Sequence, residues 1–238
     1  SLSSQCTSAL AQIATNPSSA CLSPSSLLPL ITSAGNSSLV SGVDSWLTNV
    51  CGVAPCSNDT LAAIVTNVTA GCSSDLSAFG FTSGNSATLV STVQQFYPTV
   101  RNVACLKDGS TLCVTETLTN LQNAVGNLTA TSIAGLIATG NATLPSNVTC
   151  SNCVKAAYNT VNSAFPGLLG SSNSTLQSQC GSSFTDGSAP AGIVESATNS
   201  SSSGSSPPSS GAVAISGNIL SGLGASVLIV FGSTFMML

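Results

Sequence analysis

The chain has 238 residues, and only 4% of them are Asp, Glu, Lys or Arg, against roughly 25% in an ordinary soluble domain. It contains no histidine, which excludes Ser–His–Asp and Cys–His catalysis and disfavours most zinc and haem sites. Its three basic residues, Arg101, Lys107 and Lys155, are too few for the positive surface that nucleic-acid binding requires.

Apolar residues recur at helical spacing along residues 1–187, and strict alternation is scarce, which predicts an all-α, disulfide-braced helical bundle. The predicted helical stripes are Leu39, Val43, Trp46, Leu47 and Val50; Leu61, Ile64, Val65, Val68 and Cys72; Leu89, Val93, Phe96, Tyr97, Val100 and Ala104; Leu118, Leu121, Val125 and Leu128; and Val154, Ala157, Tyr158, Val161 and Phe165. The predicted N-caps are Asn36, Asn58 and either Ser151 or Asn152. Because Trp46 lies on a stripe, we expect it in the core rather than on a sugar-stacking surface.

Ten cysteines within the first 180 residues predict a disulfide framework. They are Cys6, Cys21, Cys51, Cys56, Cys72, Cys105, Cys113, Cys150, Cys153 and Cys180. The alternative is metal ligation by the short-spaced pairs Cys51/Cys56 and Cys150/Cys153, whose spacings are irregular for a zinc ribbon. We interpret Cys150 and Cys153 as structural half-cystines rather than a redox pair.

The body contains two similar halves, about residues 1–80 and 100–182, which predicts a tandem duplication. The matching segments are Leu28–Leu39 with Ile133–Leu144, and Cys56-Ser57-Asn58 with Cys150-Ser151-Asn152. Chance similarity is the alternative in a chain so rich in Ser, Thr and Ala. Each half holds five cysteines, an odd number, so we expect at least one bridge between the halves.

Eight Asn-x-Ser/Thr sequons predict N-glycosylation and passage through the secretory pathway. They lie at Asn36, Asn58, Asn67, Asn127, Asn141, Asn147, Asn173 and Asn199. Glycans would also supply the hydration that so few charged side chains cannot give. No signal peptide precedes Ser1, so we expect the numbering to be that of a chain whose signal has been removed.

Residues 188–211 predict a disordered, O-glycosylated stalk, and residues 212–238 predict a glycosylphosphatidylinositol (GPI) attachment signal. Ten of the sixteen residues from 196 to 211 are Ser or Thr, and an uncharged apolar tail follows them. A transmembrane helix over 219–238 is the alternative, but no Lys or Arg follows it. The predicted attachment residue is Ser210, with Ser209 or Asn199 as alternatives.

Asp108 and Glu116, beside Lys107 and Arg101, form the only charge cluster in the sequence. One interpretation is a glycosidase-like carboxylate pair. The other is a local ion pair that fixes a loop between two bridged helices, and we favour it. The sequence therefore predicts that the protein is not an enzyme, with no catalytic residue, no cofactor and no metal.

Five short runs in the body carry a family resemblance. They are Phe96–Arg101, Cys105–Asp108, Leu112–Leu121, Thr149–Cys153 and Leu176–Gly187. These runs resemble a secreted, GPI-anchored, cysteine-rich family of mushroom-type fungi, a domain of unknown function. The resemblance covers about residues 6–187. It implies a location and a cysteine framework, but no activity.

The predicted function is a GPI-anchored cell-surface or cell-wall glycoprotein with a structural or interaction role. Its expected place is the extracellular face of the plasma membrane or the cell wall. Its expected partners are the outer membrane leaflet, through the lipid anchor, and cell-wall polysaccharide, but not nucleic acid. The alternative is an extracellular lipid- or sterol-binding module with a small apolar ligand between its helices. A closed cavity lined by Leu, Val and Ile would favour that alternative, and a filled core would disfavour it.

Overall fold

Helices make up most of the chain in the computed structural model, which describes residues 3–27, 37–77, 86–129, 132 and 144–199. The α-helices are Ser4–Thr15 (α1), Val40–Gly52 (α2), Asn58–Gly71 (α3), Ser73–Ser77 (α4), Ser86–Ala104 (α5), Cys113–Val125 (α6), Ser146–Thr149 (α7), Asn152–Ala164 (α8) and Gly170–Cys180 (α9). Short 3₁₀ helices cover Pro17–Leu22, Pro24–Ser26 and Ser182–Thr185.

Serine side chains cap three of the helices at their N-termini. The hydroxyls of Ser3, Ser57 and Ser151 accept hydrogen bonds from backbone N–H groups three residues further on. The prediction of a cap at Ser151 is confirmed. The cap of α3 is Ser57 rather than Asn58, because Ser57 is extended (φ −72°, ψ 160°) and Asn58 is the first helical residue. The predicted cap at Asn36 lies outside the described residues.

A small antiparallel sheet corrects the all-α prediction. Its strands are Leu106–Asp108 (β1), Thr111–Leu112 (β2) and Ile193–Glu195 (β3), in the order β2-β1-β3. Gly109, at φ +57°, reverses the chain between β1 and β2. Strands of two or three residues are too short to show an alternating apolar pattern, so the sequence gives no signal for them.

Two groups of buried side chains lie inside the fold. The main core takes residues from α2, the end of α5, α6, α7, α8, α9 and the sheet, and it includes most of the predicted α2 and α8 stripes. The satellite core, between α3 and α5, contains four buried residues, Leu22, Cys56, Leu61 and Val93. On α6 the prediction for Val125 is wrong, since that side chain is 46% exposed at the end of the helix.

All ten cysteines form disulfides, which confirms the predicted framework. The pairs are Cys6–Cys72, Cys21–Cys56, Cys51–Cys105, Cys113–Cys153 and Cys150–Cys180. Cys150 and Cys153 therefore bond different partners, as Cys51 and Cys56 do, and neither pair offers thiolates to a metal. Cys51–Cys105 joins the two halves, as the odd cysteine count requires.

The two halves do not share one bridging pattern. In the first half the first cysteine pairs with the fifth and the second with the fourth. In the second half the second pairs with the fourth and the third with the fifth. Most of the Leu28–Leu39 and Ile133–Leu144 match lies outside the described residues, so the tandem duplication stays a prediction.

The segment Ile193–Asn199, called the strap here, is packed on the body although the predicted stalk begins at residue 188. Its strand β3 pairs with β1, and the N–H of Thr198 donates to the carbonyl of Cys51 at 2.8 Å. The described chain thus stays attached to the body as far as Thr198. Residues 200–211 of the predicted stalk and the apolar tail lie outside the described residues. Among the helices that the structure describes, none has the length and apolar character needed to span a bilayer.

Candidate functional site

The acidic pair Asp108 and Glu116 comes together where β1 meets the first turn of α6. The carboxylate oxygens of both residues and the sulfur of Cys153 lie within 4.8 Å of one another. The tight turn at Gly109 and the Cys113–Cys153 bridge fix these elements side by side. The sequence correctly predicted that the two carboxylates are neighbours.

The carboxyl group of Glu116 lies near a second negative charge, that of Asp108. Burial raises the pKa of Glu116 above its ordinary value of 4.5, and the charge of Asp108 raises it further. As a metal centre the group is incomplete, because the Cys153 sulfur belongs to a disulfide and is not a thiolate. Two carboxylates remain, which suits proton exchange but does not by itself make a site.

Arg101 does not join this cluster, which corrects the prediction of a local ion pair. Its side chain is 5% exposed and donates to the carbonyl oxygens of Val50 (2.8 Å), Val53 and Thr198 (3.3 Å). Among the described residues, the ion pair that does form is Lys155–Asp186, at 3.3 Å. The acidic pair therefore has no salt-bridge partner within the described parts of the chain.

The Lys155–Asp186 pair holds the loop after α9 against α8. The hydroxyl and backbone N–H of Ser188 donate to Asp186, and with Lys155 they lower the pKa of Asp186 to about 2. Lys155 also donates to the carbonyl of Ser183 at 2.7 Å. All of these contacts are made within the protein, so the Lys155–Asp186 pair stabilises the fold.

Arg101 instead makes a junction of three segments. It lies in the last turn of α5, binds the carbonyls at the C-terminal end of α2, and reaches the strap. A cation at the C-terminal end of a helix donates hydrogen bonds to carbonyls that have no partner within the helix, and it interacts favourably with the helix dipole. The Cys51–Cys105 bridge lies at the same junction. This role was not predicted from the sequence, although Arg101 falls four residues after Tyr97 on an apolar stripe, a position that indicates a buried basic residue.

Most of the described sequon asparagines are accessible to a glycan. The exposed ones are Asn58, Asn67, Asn127, Asn147 and Asn199. Asn173 is half-buried, and its side-chain oxygen accepts a hydrogen bond of 2.7 Å from Thr185. The sequons at Asn36 and Asn141 and the predicted attachment residues Ser210 and Ser209 lie outside the described residues.

Trp46 is a core residue, as predicted. Its side chain is 2% exposed, and its indole N–H donates to the carbonyl of Leu22 at 2.8 Å. That bond ties α2 to the first 3₁₀ helix. The ring is therefore not available as a platform on which a sugar could stack.

A surface pocket of about 480 Å³ lies where the end of α1, the first two 3₁₀ helices and the end of α2 meet. Its lining residues are Ala14, Thr15, Asn16, Pro17, Ala20, Ser23, Pro24, Ser25, Ser26, Asn49 and Val53. Most of these side chains are small, and none carries a charge. No sequence pattern indicates this pocket, because its residues come from two segments that are distant in the chain.

In comparisons with known proteins, no family model, no curated protein and no solved structure matches the chain. The resemblance to the fungal surface family therefore stays a prediction.

Proposed function

We propose that this protein is a GPI-anchored glycoprotein of the cell surface or cell wall, with a structural or interaction role and no enzymatic activity. It would be held outside the plasma membrane by a lipid anchor at Ser210, at the end of a Ser/Thr-rich stalk. Its body would be displayed to wall polymers. The tandem duplication of the body is part of the same proposal.

The observation that carries the proposal is the attachment of the strap. Ser196 donates to the carbonyl of Cys105 through its backbone N–H (3.1 Å) and its hydroxyl (2.6 Å), and Thr198 contacts both Cys51 and Arg101. The strap is thus fixed beside the Cys51–Cys105 bridge, immediately before the Ser-rich segment. A stalk that starts there would hold the body through both of its halves.

Bridges and sequons support an extracellular place. Five disulfides form and persist in oxidising compartments, and they are rare in the cytosol. The exposed sequon asparagines lie on several elements, including α3, α7 and the strap. Glycans at these positions would cover a surface that has few charges to keep it in solution.

The lipid-binding alternative gains no support from the described residues. The large side chains of the main core, among them Leu47, Leu128, Leu169 and Leu176, are fully buried in a single packed cluster. The pocket near α1 is open and lined mainly by polar and small side chains, which a sterol would not favour.

The anchor is tested on intact cells that express the full chain. Phosphatidylinositol-specific phospholipase C should release the protein into the medium, whereas buffer alone should not. Replacing both Ser209 and Ser210 by Trp should abolish surface display, because bulky residues do not fit the small-residue attachment site. Ser202→Trp with Ser203→Trp is the matched control and should be displayed normally. Protein that stays on the cells after the lipase and leaves only with detergent would contradict the proposal.

A further inference from the structure

The pocket between α1 and α2 has an uncharged lining. Its lining includes no Asp, Glu, Lys or Arg, so neither an anion nor a metal ion would find a charged partner there. Its apolar contribution is limited to Ala14, Pro17, Ala20, Pro24 and Val53, which offer little to a lipid chain. A volume of about 480 Å³ falls within the roughly 300–1,000 Å³ typical of small-molecule sites. The lining therefore favours an uncharged ligand rich in hydroxyl groups.

Several polar groups at the pocket are not used inside the described chain. The hydroxyls of Ser23 and Ser25 have no partner there. Asn16 accepts the N–H of Ser18 through its side-chain oxygen, which leaves its amide N–H₂ free to donate. Asn49 donates to Ser26, which leaves its carbonyl oxygen free to accept. Donors and acceptors of this neutral kind match the hydroxyls of a sugar.

The walls of the pocket are fixed in advance. The Cys21–Cys56 bridge ties the first 3₁₀ helix to the start of α3, and the buried bond from Trp46 holds the carbonyl of Leu22. Ser23, which lines the pocket, lies between the two 3₁₀ helices in the left-handed region (φ 46°, ψ 49°). A site that is already ordered loses less conformational entropy when a ligand binds.

We infer that this pocket binds an uncharged oligosaccharide. The inference deepens the proposed function by naming the partner of the displayed body, and it rests on that function only for its biological setting. Binding requires no reaction and no cofactor. It uses hydrogen bonds from Ser23, Ser25, Asn16 and Asn49, with the prolines and alanines facing the C–H surfaces of the sugar.

The test uses the full chain in detergent after enzymatic removal of its N-glycans, so that its own sugars do not compete. Saturation-transfer NMR with a hexasaccharide of β-1,3-linked glucose should give a transfer signal from protein to sugar. A hexasaccharide of galacturonic acid should give none, because no basic residue lines the pocket to offset its charges. Equal signals from both sugars, or none from either, would overturn the inference.

Paired variants locate the binding. The double variant Ser25→Ala, Asn49→Ala should bind the glucose hexasaccharide about tenfold more weakly, since two hydrogen-bonding groups are lost. The matched control is Ser178→Ala, Asn123→Ala, the same chemical change at exposed positions of α9 and α6. Both doubles should keep the parent unfolding midpoint. Equal affinity in the two doubles would overturn the inference. Normal phospholipase release of the pocket double would show that the proposed function stands apart from it.

Discussion

The main core and the layer formed by α1 and α3 are built in different ways. Among the described residues, the main core gathers 25 buried residues from six α-helices, one 3₁₀ helix, the sheet and the segments between them. In α1 only Cys6 and Ile13 are buried, and in α3 only Leu61. Yet two of the five bridges, Cys6–Cys72 and Cys21–Cys56, lie in this thin layer. Where little apolar surface is buried, covalent bridges and close helix contact supply the stability that a core supplies elsewhere.

The largest effect on a single element should follow removal of the bridge that holds α1. In the double variant Cys6→Ala, Cys72→Ala a loop of 66 residues is no longer closed, which should cost about 4 kcal/mol of unfolding free energy. Because α1 buries so little else, the loss should appear as local opening. Hydrogen exchange should lose most protection over Ser4–Thr15 and less over α2 and α8.

The comparison variant removes a bridge inside the main core, Cys113→Ala, Cys153→Ala. Both cysteines are 0% exposed, so small cavities add to the loss of a 40-residue loop. Here the global unfolding midpoint should fall and α2, α6 and α8 should exchange together. If the two double variants gave the same exchange pattern, the contrast between thin layer and main core would be wrong.

Arg101→Met should come next, because it breaks the junction between main core and strap. Loss of a buried cation that binds three carbonyls should cost roughly 3 kcal/mol. The amides of Ser196 and Thr198 should lose exchange protection first. Lys107→Met, the same charge change on the neighbouring strand, should stay within about 0.5 kcal/mol of the parent. Equal losses from the two variants would argue against the junction.

Gly71→Ala probes how closely α1 and α3 approach. A Cβ at residue 71 would lie 2.2 Å from the Cβ of Ala9, so the helices must separate, at a cost of about 1–3 kcal/mol. Adding Ala9→Gly to the same chain should restore part of the stability, since it removes the opposing atom. Gly52→Ala, which has open space, is the control and should not destabilise. Chemical denaturation measures the stability of all three variants. If adding Ala9→Gly restored no stability, the close contact between α1 and α3 would be wrong.

Glu116→Gln should have the smallest effect, and it should depend on pH. Because the pKa of Glu116 is raised in the folded state, its contribution is most favourable below about 4.5 and is lost as pH rises through the folded value. The variant should therefore gain stability relative to the parent between pH 4 and pH 7. Asp108→Asn should reduce that gain, because it removes part of the cause. Thermal unfolding midpoints of the variant and the parent measure this effect. A difference between them that stays constant from pH 4 to pH 7 would contradict the assignment.

The sequence predicted features that repeat or that follow from one residue type. The α2 stripe from Leu39 to Val50 is buried as expected, and Ser151 caps its helix. The count of cysteines in each half required a bridge between halves, but the choice of Cys51–Cys105 depends on how distant segments pack. Val125 fits the apolar spacing of its stripe. It is nevertheless exposed, because α6 ends there and Gly126, at φ +91°, turns the chain away.

The features that the sequence did not predict all depend on contacts between distant segments. Arg101 lies about fifty residues after the carbonyls that it binds at the end of α2. The strap pairs with β1 through only three residues, too few for a local pattern. The pocket combines short turns near Ser23 with Asn49, and no spacing in the sequence joins them.

The most direct measurement for the whole account is the C-terminal peptide of the mature protein, isolated from cell surfaces and sequenced by mass spectrometry. The account predicts a peptide that ends at Ser210 and carries the ethanolamine-linked remnant of a glycolipid, with no peptide from residues 212–238. A mature chain that still contains the apolar residues from Ile219 to Leu238 would contradict it.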